Sequence, residues 1–132
     1  MDIGRLRPVE AVQLYEKAGL LFLKTDTGDV GWGLTVEQAV RKMKETAPGE
    51  IYLDTADYLV LEEGAETYLD SLRYYLKDRT AMVYGTERVN LQQVVSYLRM
   101  HRPSGKLGNS RIPKEMLSIE GGKMVLKIFQ EK

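Results

Sequence analysis

Apolar and polar residues along this chain switch between a period of two and a helical period, and the switch points predict the elements. Residues 9 to 25 read as a hairpin: Val12 and Leu14, then the run Leu20 to Leu23, flank Glu16-Lys17-Ala18-Gly19, a polar turn ending in a glycine free to take positive φ. The glycine-bearing stretch Thr25 to Gly33 reads as a loop. Thr35 with Gln38 three residues on is a capping box, and Val36, Ala39, Val40 and Met43 follow at i, i+3, i+4 and i+7. They predict an amphipathic helix ending near Ala47-Pro48-Gly49. Ile51 to Leu61 is extended, with a break expected at Asp54 to Asp57.

A second helix is predicted from Ala65, Tyr68, Leu69, Leu72 and Leu76, with Glu62, Glu63 and Glu66 in a first turn whose dipole favours them, and it stops around Asp78. Ala81 to Tyr84 is a short buried strand. Asn90 with Gln93 caps a third helix whose apolar face is Leu91, Val94, Val95 and Leu98, and Pro103 ends it. Polar Ser104 to Ser110 is a loop, after which Met116 to Ile119 and Lys123 to Phe129 flank Glu120-Gly121-Gly122 as a second hairpin. The order ββαβαβα followed by a C-terminal β-hairpin predicts an α+β fold, a mixed sheet covered by three helices. Residues 1–132 form a single domain in which 104–132, loop plus hairpin, are a peripheral or edge element. Val40, Leu69, Leu72, Val94 and Leu98 are the expected core.

Composition narrows the function more than the fold. With 132 residues, 43% hydrophobic and 29% charged, the chain has material for one hydrophobic core without disulfides or a structural metal. The absence of cysteine excludes thiolate zinc sites, Cys nucleophiles and a lipid-modified cysteine. Charged residues from Asp2 to Lys17 leave no apolar run fit for a signal core or a membrane span, so the expected compartment is the cytoplasm, with membrane association only through a partner. A net charge of zero, from 19 bases and 19 acids, argues against global attraction to nucleic acid.

Two echoing tetrads, Asp26-Thr27-Gly28-Asp29 and Asp54-Thr55-Ala56-Asp57, each follow an apolar run, so four carboxylates are candidates to gather at one edge of the sheet. A pair of aspartates sharing a proton activates water in the aspartic proteases, whose motif is Asp-Thr/Ser-Gly after a hydrophobic strand. Here Lys24 and Thr25 stand where that motif wants apolar residues. Oxygen ligands from the same four are suited to Ca²⁺ or Mg²⁺, but the spacing is not that of an EF-hand. Asp and Thr at strand ends also form turns that satisfy the backbone, and that reading is favoured. His101, flanked by Arg99 and Arg102, has no nucleophile or orienting acid in a motif with it, and reads as an exposed histidine at a helix C-terminus. Tyr74 is the tyrosine expected at the surface.

Charge is distributed in blocks. Glu45 to Asp70 holds eight acids and no base, whereas Arg88 to Lys114 holds six bases and no acid. Such polarity steers a partner or drives head-to-tail self-association. The patch expected to carry it is Arg99, Arg102, Lys106, Arg111 and Lys114, facing a protein, in homo- or hetero-association, or an anionic membrane surface.

The stretch from Val12 to Leu98 resembles the N-terminal domain of the C-subunit (lipoprotein) family of spore germinant receptors. The likeness lies in a hairpin, the helix start Leu34-Thr35-Val36-Glu37-Gln38-Ala39, the strand Ile51 to Leu61, a helix closing in Leu76-Lys77-Asp78-Arg79, and a strand at 81–84 leading into another helix. Ile112-Pro113 and Ser118 to Lys123 are similar to the segment that opens that family's next domain. Members are longer membrane lipoproteins, whereas this chain has neither the lipobox cysteine nor the further domains. The resemblance implies a non-enzymatic receptor or scaffold role in sporulation or germination and assigns no functional residue. The expected function is therefore a non-catalytic binding or scaffold domain without cofactor or metal. Its alternative is an aspartate-dependent hydrolase or metal-dependent enzyme using Asp26 and Asp29 with Asp54 and Asp57.

Overall fold

The structure, a computed structural model, describes residues 6–129. The elements run β1 (Leu6–Pro8), β2 (Ala11–Lys17), β3 (Leu20–Thr25), β4 (Val30–Gly33), α1 (Val36–Thr46), β5 (Glu50–Tyr52), β6 (Tyr58–Leu61), α2 (Leu69–Tyr75), β7 (Ala81–Tyr84), α3 (Leu91–Met100), β8 (Lys114–Glu120) and β9 (Lys123–Phe129). Seven strands form one mixed sheet in the order β4-β3-β2-β6-β7-β8-β9, and β1 pairs with β5 in a separate two-stranded sheet. The central strands β2, β6, β7 and β8 are parallel, and antiparallel hairpins close each flank. This is the α+β class expected.

Period-two alternation assigns each strand residue to a face. Val12, Leu14, Leu59, Leu61, Met82 and Tyr84 meet α1 and α2 on one face, with Val40 and Leu72 buried among them. Ala11, Val60, Val83 and Leu117 meet α3 on the other, against Val94 and Leu98. Leu69 is only half-buried and packs at the margin of the first cluster. Two helix starts are fixed as their sequences dictate. Thr35 Oγ1 accepts the Gln38 N–H at 3.1 Å, Gln38 Oε1 accepts the Leu34 N–H at 2.8 Å, and Asn90 Oδ1 accepts the Gln93 N–H at 3.0 Å.

Four features depart from the predicted order. Val30–Gly33, read as loop, is strand β4, and Gly31 serves close packing there: a Cβ on it would fall 1.9 Å from the Ala39 carbonyl oxygen of α1. The stretch 51–61 is divided between the two sheets, a 3₁₀ turn at Leu53–Thr55 separating β5 from β6. Helix α2 is short, because Glu66–Tyr68 form a 3₁₀ turn and the helix begins without a side-chain cap. Strand β1 had no sequence signal. The C-terminal hairpin β8–β9 does complete the sheet, joined to β7 through the pair Tyr84↔Met116.

Candidate functional site

The N-terminal ends of β6 and β7 meet the end of α3 and the loop after it, and a cleft of 520 Å³ opens between them. Its walls carry Arg79, Arg99, Arg102 and Lys106 around Tyr58 and Asp57. The backbone holds these walls in place. Ala81 N–H donates to Asp57 O at 2.8 Å, Met82 N–H to Gly105 O at 3.0 Å and Leu107 N–H to Thr80 O at 3.0 Å, so residues 105–107 run beside the start of β7 almost as a further strand. Buried Thr80 donates its hydroxyl to Ala56 O at 2.8 Å. Behind the loop, the buried carboxylate of Glu115 accepts through one oxygen from Ser104 N (2.8 Å), Ser104 Oγ (2.9 Å) and Gly105 N (3.1 Å).

Charge in the cleft is unbalanced. Asp57 is held by Lys77 Nζ at 2.9 Å, and Arg99 pairs with Glu10. Arg79, Arg102 and Lys106 make no ion pair among the described residues. Burial raises the Tyr58 phenol above its ordinary value near 10, and Asp57 adds to this while Arg99 and Arg102 oppose it. The phenol is therefore a neutral donor at physiological pH. Three free cations beside a phenol are a receptor for carboxylate or phosphate oxygens, with the planar guanidinium forks suited to two-point contacts.

Of the five residues predicted as a basic patch, three meet here. Lys114 does not: the β8 register carries it to the other end of the sheet, where it pairs with Glu63 and lies 5.8 Å from the centre of the Tyr84 ring. Arg111 is exposed in the loop between α3 and β8, away from the cleft. Arg79, outside the predicted patch, joins because it stands two residues before β7, whose first residue lies beside Tyr58. The signal available was its position one turn after α2, at the mouth of a buried strand.

The four aspartates line three different clefts: Asp57 the one above, Asp54 a groove with Tyr52, Tyr74 and Tyr75, and Asp26 with Asp29 a third beside the start of α3. Asp26 Oδ1 accepts the Glu10 and Ala11 N–H groups at 2.9 and 3.0 Å. Asp29, buried, accepts the Thr27 hydroxyl at 2.6 Å and donates its own N–H to Thr25 Oγ1 at 3.2 Å. The Asp29 contacts are local to the turn, whereas Asp26 ties the turn to the start of β2. Among the described residues no group of three or more Asp, Glu or His side chains is arranged to hold a metal. His101 follows α3, exposed, its ring stacked on Tyr97 at 4.3 Å, and Tyr74 is exposed as expected.

The chain matches no protein-family model, no curated protein and no solved structure. Among the described residues no helix is long and apolar enough to cross a membrane.

Proposed function

We propose that this chain is a non-catalytic binding domain that receives an acidic segment of a protein partner in the cleft between β6, β7 and the end of α3. The observation that carries the reading is the presence of three cations, Arg79, Arg102 and Lys106, that make no ion pair among the described residues, on walls whose backbone is held by hydrogen bonds. The backbone that carries these side chains is held in place, so an arriving anion need order only the side chains themselves. The carboxylate in the cleft lining, Asp57, is tied to Lys77 at 2.9 Å, and the cations around it are suited to holding an anion. The sequence likeness to the germinant-receptor C-subunit domain supports the same non-enzymatic role and is the basis for linking it to sporulation or germination.

Fluorescence anisotropy of a labelled oligoglutamate peptide tests the proposal, with an oligonucleotide and anionic liposomes as parallel arms. The peptide should bind at low salt and weaken as salt rises, because exposed charges are screened over about 8–10 Å at physiological ionic strength. Arg102→Gln with Lys106→Gln should weaken binding about tenfold, two partly exposed contacts contributing up to about 1 kcal/mol each. Failure of the peptide to bind at low salt, or preference for the oligonucleotide or the liposomes, would overturn the assignment.

A further inference from the structure

Because β2, β6 and β7 are parallel, their first residues share one rim of the sheet and their last residues share the opposite rim. The basic cleft occupies the first rim. At the second, the β2–β3 turn and the loop after β6 enclose a cleft lined by Glu16, Lys17, Glu62 and Glu63. Glu87, just beyond β7, faces Lys17 at 3.5 Å, and Glu63 faces Lys114. Among the described residues Glu16 and Glu62 have no cation partner: Glu62 Oε1 accepts the Glu16 N–H at 3.2 Å, and Glu16 Oε2 accepts the Tyr68 hydroxyl at 3.4 Å. The rim thus holds four glutamates against Lys17, Lys114 and Arg88, which adjoins Glu87, whereas around the basic cleft Lys77, Arg79, Arg99, Arg102 and Lys106 stand against Asp57, Glu10 and Asp26, whose carboxylate accepts the Glu10 N–H. The two ends of the same strands thus carry local excesses of opposite sign.

We infer that the acidic partner of the basic cleft is a second copy of this chain, presenting its glutamate rim head to tail. This rests on the function proposed above and names the partner for it. The contact is heterologous, since the two surfaces differ, so each added copy leaves a free rim of each sign and the assembly is an open row. Lateral growth by strand addition is disfavoured. At the β9 edge, Tyr97 Oη accepts the Leu126 N–H at 2.9 Å and fills the middle of the row of edge donors. At the other edge, β4 is only four residues long and carries two glycines. Association is left to the rims, and it is electrostatic, weak and reversible.

Sedimentation velocity over a concentration series at low and at high salt reads the outcome. The weight-average sedimentation coefficient should rise with concentration at low salt and stay at the monomer value at high salt. Arg102→Gln/Lys106→Gln disables the basic rim and Glu16→Gln/Glu62→Gln the acidic one, so each variant alone should remain monomeric. An equimolar mixture retains one live rim of each kind and should form a 1:1 dimer that grows no further. Circular dichroism and urea midpoints of both variants establish that each is folded. A wild type that stays monomeric at low salt refutes the inference, and oligoglutamate binding to that same wild-type protein then shows whether the cleft assignment survives without it. Association that persists at high salt, or in either variant alone, refutes it too.

Discussion

Removing the Glu115 carboxylate is the most informative single change, because it tests whether the cleft wall is held from behind. Glu115 is 2% exposed, and one of its oxygens receives two backbone N–H groups and a hydroxyl. In Glu115→Ala the Gly105 N–H is left buried without an acceptor, at a cost of about 1–3 kcal/mol. The two Ser104 donors lie nearer solvent, so each loses only the net worth of a hydrogen bond, about 0.5–1.5 kcal/mol. Relief from desolvating the charge offsets part of this, and a loss of about 2–4 kcal/mol is expected. Glu115→Gln keeps a carbonyl acceptor and forfeits only charge assistance, about 1 kcal/mol. Urea denaturation gives both values, provided that the slope of each transition is unchanged. Because residues 104–106 carry Lys106 into the cleft, oligoglutamate affinity should fall in the Ala variant and return in the Gln variant. If Glu115→Ala unfolds within about 0.5 kcal/mol of wild type, the carboxylate is not what fixes the loop and the reasoning fails.

Gly31→Ala drives a methyl into the Ala39 carbonyl of α1 and should cost about 3 kcal/mol or more, with a change under about 1 kcal/mol showing that helix and strand part freely. Leu72→Ala, at a side chain 1% exposed, should cost about 2–5 kcal/mol, and a loss below about 1 kcal/mol would contradict the packing of α2 on the sheet. The phenols of Tyr15, Tyr58, Tyr68 and Tyr75 are raised chiefly by burial and that of Tyr52 chiefly by its hydrogen bond to Glu50. The folded state therefore keeps protons that the unfolded chain gives up, so their contribution is complete below pH about 10 and declines as pH climbs through the raised values. Urea midpoints should fall between pH 9 and 11 while phenolate absorbance of the folded protein lags that of the unfolded protein, and coincident titrations would refute this.

What the sequence makes legible is what neighbouring residues decide among themselves. Thr35 with Gln38 and Asn90 with Gln93 announce α1 and α3, and the structure contains those bonds. Strand β4 is hidden because the glycines between Thr25 and Gly33 point to a loop, whereas the reason for Gly31 is the backbone of α1, which only the fold brings near. The break at Asp54 to Asp57 was visible, yet nothing local says that the residues before it leave the main sheet to pair with β1. The candidate site follows the same division. Arg99, Arg102 and Lys106 lie close together in sequence and stay together, but the arrival of Arg79 and the departure of Lys114 depend on which strands adjoin β7 and in what register. Of the aspartates only Asp29 makes the local turn contacts expected; Asp26 ties the start of β2, Asp57 pairs with Lys77, and Asp54 lines a separate groove, partners that the sheet's topology supplies.

The parallel pairing at the centre of the sheet also sets the order of events during synthesis. The β2–β3 hairpin is local and can close in about 1–10 μs once it has emerged. Its partner β6, however, pairs Ala11 with Tyr58 and Leu14 with Leu61, so after Thr25 roughly 36 more residues must leave the ribosome first. At about 5–20 residues per second that is on the order of 2–7 s in which Val12 and Leu14 have neither Leu59 nor Leu61 beside them. The nascent hairpin is therefore a greasy, half-finished surface for far longer than it takes to form, and a chaperone with an apolar groove would find it the most accessible part of the growing chain.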